Sequence, residues 1–169
     1  EFMLTICEEL GIGLPDHAVS SLKDLVDILN HYLLRAHADG RRVVLLVDEA
    51  QNLAPAVLEQ VRLLTNLETP TDKLLQIVLF GQPELDVQLA DPRIRQLKDR
   101  ITLSLSLSPL AEPEVADYLR ARLSVAGYRG PDLFPPPLIA RMTRLSGGLS
   151  RRINVLADKT LLAAYAGQT

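Results

Sequence analysis

Residues 43–53 read VVLLVDEAQNL, five apolar residues running directly into Asp48 and Glu49. An unbroken apolar run of this length predicts a strand buried on both faces, because a half-exposed strand alternates apolar with polar residues. It delivers two adjacent carboxylates at its C-terminal end, the end at which open α/β sheets bind their ligands. The same pair also suits a strand followed by an acidic helix start, where carboxylates accept hydrogen bonds from free backbone N–H groups.

The chain has 169 residues, 47% of them hydrophobic, which is enough to bury a core in one α/β domain or a domain with a small appendage. A formal charge of −3 argues against a protein whose main work is coating nucleic acid. Cys7, the single cysteine, has no partner for an intramolecular disulfide, so a reducing cytosol is the natural setting. No apolar run approaches the roughly 20 residues that span a bilayer, and no signal peptide is visible.

Helical apolar spacing predicts helices over 3–11 and 20–38, the second ending at Asp39-Gly40. The strand at 43–47 comes next, then a helix over 54–67 with Pro55 in its first turn. Leu74 to Phe80 reads as a second apolar strand ending in Gly81-Gln82-Pro83. A third strand is expected at 101–107, where Ile101, Leu103, Leu105 and Leu107 alternate with Thr102, Ser104 and Ser106. Helices are expected near 112–126, 136–146 and 149–166, with a Pro-rich break at 131–137. The expected organisation is an α/β body over 1–130 and a small helical lid over 131–169.

The ordered series DEAQNL (48–53), LLTNLET (63–69), IVLFGQPEL (77–85), RQLKDRI (95–101) and LSGGLSRRINVLAD (145–158) resembles the AAA+ ATPases of the general secretion pathway protein A family. That family has pilus-biogenesis relatives and is similar to transposition ATPases. The resemblance covers almost the whole chain. It implies a P-loop NTPase core with a helical lid, working as a homo-oligomer on ATP and Mg²⁺, in the cytoplasm at the inner membrane with secretion or pilus assembly proteins as partners. By the same resemblance Asp48 is the Walker B residue that holds Mg²⁺ through water, and Glu49 orients the water that attacks the γ-phosphate. Gln82 falls at the sensor 1 position; it is also turn chemistry in its own right, before Pro83. Arg95 and Arg100 precede the third expected strand, where the family carries an arginine finger, and Arg100 matches better. Arg93 and Lys98 read more readily as solvated charges. Arg151 in GGLSR matches sensor 2, with Gly147 and Gly148 as the implied hinge. Arg152 suits a partner contact and a helix surface equally.

No G-x-x-x-x-G-K-[ST] occurs, since none of the nine glycines is followed by Lys. Backbone N–H groups and the lysine of that loop supply most of the binding energy for a triphosphate. The expectation is therefore a fragment of an ATPase that binds no ATP itself. Other chemistries find little support: His17, His31 and His37 lack metal-ligand spacing, and the aromatic residues are not interleaved with basic ones. A transposition-type regulator acting on DNA is the alternative function. In the family a strand missing from this sequence lies between those at 74–80 and 101–107. The expectation is that the chain closes the gap by pairing these two directly, or by borrowing a strand from a second copy.

Overall fold

The computed structural model describes residues 1–14 and 21–167, so the expectation for His17 lies outside the described residues. The chain divides into two compact units, Glu1–Ser104 and Leu105–Thr169.

In the first unit, α1 (Phe2–Glu9) and α2 (Leu22–Ala38) precede β1 (Val43–Val47). Then come α3 (Pro55–Leu64), β2 (Leu75–Leu79), α4 (Glu84–Leu89) and α5 (Arg95–Lys98). Ser21 starts α2 by a capping box, its hydroxyl accepting from Asp24 N while the Asp24 carboxylate accepts from Ser21 N. Leu25, Leu29, Leu33 and Ala36 recur at helical spacing and are buried. The helix stops where Gly40 takes a φ of 73°, which only glycine adopts without strain.

β1 and β2 are parallel, in register from Val43 against Leu75 to Val47 against Leu79. A parallel pair needs a crossover, and α3 lies on it. One face of the pair is packed. Val43, Leu45 and Ile77 sit against a cluster containing Leu29, Leu33, Leu64 and Leu74, and Val47 and Leu79 against Leu58, Val61, Leu85 and Leu97. The other face is open, with Val44 46%, Leu46 63% and Phe80 50% exposed. The expected burial on both faces is thus corrected, because the helices of this unit cover only the side that carries the odd-numbered residues.

The third expected strand is also corrected. Residues 101–110 form neither strand nor helix, and Leu103, Leu105 and Leu107 are exposed. Among the described residues β2 pairs with β1 alone, so the direct pairing of 74–80 with 101–107 is not formed. An alternating pattern makes a segment ready for a sheet but supplies no hydrogen-bonding partner for it.

In the second unit, α6 (Glu112–Val125), α7 (Pro136–Ser146) and α8 (Ser150–Ala166) enclose Val115, Leu119, Phe134, Ile139, Met142 and Ile153. Phe134 belongs to the FPPP run and is buried, and the Tyr118 hydroxyl donates to Asn154 Oδ1 at 3.0 Å, fastening α6 to α8. The units divide at 104/105 where the sequence suggested 130/131, and α6 packs with the last two helices.

Gly147 and Gly148 form the turn between α7 and α8 inside this unit, with φ of 62° and 73°. Gly148 is buried, its carbonyl accepts from Leu110 N at 2.9 Å, and a Cβ on it would lie 2.4 Å from the Leu110 carbonyl oxygen. The turn is therefore a packed joint between α7 and α8. Gly148→Ala is expected to cost at least about 2 kcal/mol, from the left-handed backbone and the clash together. Chemical denaturation checks it, and an unchanged midpoint would contradict the packing described here.

Candidate functional site

Asp48 and Glu49 follow β1 directly, and both are exposed. Glu49 takes a left-handed backbone, φ 51° and ψ 39°, alone among the described non-glycine residues in having positive φ. Such a conformation costs an ordinary residue about 1–2 kcal/mol, and strain of this kind collects at functional sites. The turn is held from both sides. Glu49 N donates to Asp48 Oδ1 at 2.8 Å, which leaves the second Asp48 oxygen free. The ladder continues past the strands as Phe80 N donates to Val47 O and Ala50 N to Phe80 O, each at 2.8 Å. The ends of β1 and β2 are therefore knitted together where the carboxylates emerge.

Gln51, in the 3₁₀ turn Ala50–Asn52, joins the parts. Its Nε2 donates to Glu49 Oε2 at 2.5 Å, its Oε1 accepts from Gln82 N at 3.1 Å, and its carbonyl accepts from Gln88 Nε2 at 2.6 Å. Gly81 leaves the room this needs: a Cβ there would lie 3.2 Å from Gln51 Oε1 and 2.8 Å from Leu85 Cδ2. Gln88 Oε1, on α4, is buried without a hydrogen-bond partner. Sequence reading gave no role to Gln51 or Gln88. The signal for Gln51 was its place two residues after Glu49 in DEAQNL; Gln88, on a six-residue helix, had none.

The structure thus brings Asp48, Glu49 and the Gln82 backbone together. Arg100 lies elsewhere in the same unit. Its charge acts on Glu68, whose carboxyl is held below its ordinary 4.5 chiefly by the hydrogen bond and charge of Lys73, with a smaller pull from Arg100. Glu68 is bridged to Lys73 just before β2, at the end of the strands opposite to Asp48. Arg95 is exposed, with Nε 4.0 Å from Asp99 Oδ2. Arg93 is bound by both oxygens of Asp91, and these bonds together with the Arg93 N–H pull the Asp91 carboxyl from 3.8 down to about 2. Arg93 is therefore engaged within its own turn. Arg151 stands exposed in the first turn of α8, in the second unit.

Two exposed carboxylates with free oxygens suit a hard, oxygen-seeking cation such as Mg²⁺, which usually takes one or two carboxylates and fills its shell with water and phosphate. Asp48 and Glu49 fit that metal. Among the described residues no group of three or more His, Cys, Asp and Glu side chains is placed to hold an ion unaided. A polar cleft of about 300 Å³ lies between His37, Arg41, Arg42 and Lys73, at the far end of the strands from Asp48. Arg41 is paired with Asp39 there, and Lys73 with Glu68. No helix of the described residues is long and apolar enough to cross a membrane.

A parallel αβ unit with an Asp-Glu pair at the exit of its first strand suits a P-loop-type NTPase, and the sequence pattern of the AAA domain family matches residues 1–89. The chain belongs to that family. Over 166 residues it is 49% identical to the General secretion pathway protein A of Aeromonas hydrophila, an alignment covering 98% of this chain. The chain spans about 30% of that relative's length. The crystal structure of Cdc6p from Pyrobaculum aerophilum superposes with a TM-score of 0.67 at 19% identity, covering 98% of this chain and 44% of that one. That likeness supports the AAA+ fold.

Proposed function

We propose that this chain forms the metal-ordering and water-activating part of an ATP-hydrolysing AAA+ subunit that serves protein secretion. The observation that carries the reading is the Asp48-Glu49 turn, strained at Glu49 and fastened to the backbone at the end of β2. The likeness to a General secretion pathway protein A supports the cellular setting: cytoplasmic, at the inner membrane, with secretion or pilus assembly proteins as partners.

Bound Mg²⁺ supplies charge neutralisation on the transferring phosphate. Asp48 would hold the water shell of that ion, and Glu49 would orient the attacking water and accept its proton. Gln82, at the end of the neighbouring strand, contacts the same water and registers the γ-phosphate. Arg100, whose charge is felt by Glu68, is the finger that serves the nucleotide of an adjacent copy in a homo-oligomer. Arg151, exposed in the first turn of α8, is the lid residue that matches sensor 2.

The sequence carries no G-x-x-x-x-G-K-[ST], and converging N–H donors and a lysine are needed to hold a triphosphate. Calorimetric titration of residues 1–169 with Mg-ATP should show no binding at micromolar concentrations. A longer chain carrying G-x-x-x-x-G-K-[ST] ahead of α1 should bind. Micromolar affinity in residues 1–169 alone would overturn this division of labour.

A further inference from the structure

The amide of Gln51 touches Glu49 with one end and the Gln82 backbone with the other, 2.5 Å and 3.1 Å away. A primary amide suits this, because it offers an N–H donor and a carbonyl acceptor side by side on one rigid plane. The geometry points to Gln51 as a positioning residue, a clamp that sets the Glu49 carboxylate by the position of the β2 exit; the inference rests on the reading of Glu49 as the water-orienting group.

Three features support it. First, the turn at Glu49 is left-handed, and among the described residues the hydrogen bond to its carboxylate comes from Gln51 Nε2. Second, Gln51 is itself fixed, since Gln88 Nε2 on α4 holds its carbonyl and Gly81 makes space for its amide. Third, only one oxygen of Glu49 is engaged, so the clamp orients the carboxylate and leaves Oε1 for water. A shift of the Gly81-Gln82 segment would be passed to the Glu49 carboxylate through the Gln51 side chain, beside the backbone link from Ala50 N to Phe80 O. Such a shift is the expected response of a residue that reads the γ-phosphate. Gln51 thereby couples sensing to water activation within one subunit, and it acts through Glu49 without touching the nucleotide.

Gln51→Met tests this, because Met fills a similar volume and lacks both hydrogen-bonding groups. In residues 1–169, hydrogen exchange at the Gln82 amide should rise at least about tenfold, while the Phe80 amide keeps its protection from Val47 O. In a longer chain with the phosphate loop, kcat should fall roughly ten- to a hundredfold with KM for ATP unchanged, the signature of a misplaced catalytic group. Gln51→Glu, which keeps the acceptor and loses the donor to Glu49, should not restore kcat. Unchanged exchange at Gln82 would overturn the clamp. So would normal kcat in Gln51→Met beside an inactive Glu49→Gln. An active Glu49→Gln would instead overturn the reading of Glu49, and the clamp's catalytic purpose with it.

Discussion

Arg100→Ala, made in a longer chain that carries the phosphate loop, is expected to lower ATP hydrolysis by about a thousandfold and leave nucleotide affinity unchanged. The size follows from what an arginine finger does: it meets charge that develops only in the transition state, so its loss appears in kcat. The location supports action between copies. Arg100 is exposed, and its charge is felt by Glu68 at the end of the strands opposite to Asp48. Mixing Arg100→Ala with Glu49→Gln protein should restore part of the activity. Random assembly of equal amounts gives roughly a quarter of the interfaces an intact Glu49 and an intact Arg100 from the two partners. No recovery on mixing would place Arg100 in its own subunit's site or outside catalysis. Arg95→Ala should be milder, since Arg95 stands beside Asp99, and a larger loss there would reverse the assignment.

Much of the first unit was legible because its signals are local. VVLLV is long enough and apolar enough to read as a strand, and it forms one over Val43–Val47. Helix α2 carried its own stop at Asp39-Gly40 and a regular apolar face ahead of it. The crossover helix declared itself through Pro55 and the spacing of Leu58, Val61 and Leu64. Short elements were not legible. Helices α4 and α5, of 6 and 4 residues, contain too few turns for a period to show.

The segment 101–107 failed for a different reason. Its alternation describes a side-chain pattern, whereas a strand also needs a backbone partner, and the exposed Leu103, Leu105 and Leu107 show that none is present here. Burial of a strand face is likewise a property of what packs on it. Val44 and Leu46 are as apolar as Val43 and Leu45, yet they are exposed.

At the candidate site, the sequence marked Asp48 and Glu49 because adjacent carboxylates after an apolar run are locally conspicuous. It gave no sign that Glu49 would be left-handed, or that Gln51 would bridge to a residue 31 positions away. Long-range hydrogen bonds depend on the register of β1 against β2, which follows from the packing of both strands on the helices. Gln88 reaches the Gln51 carbonyl from 37 positions away by the same route.

The most direct test of the account is ATP turnover by the Glu49→Gln variant of a longer chain that carries the phosphate loop, measured beside its affinity for Mg-ATP. Gln keeps the size and polarity of the side chain and loses the ability to take a proton, and a positioned general base contributes about a hundredfold or more. Asp48 and the rest of the turn are untouched, so the metal and the nucleotide should still bind. The account predicts affinity within about threefold of the parent and hydrolysis reduced at least about a hundredfold. A Glu49→Gln variant that binds and hydrolyses ATP like its parent would contradict it.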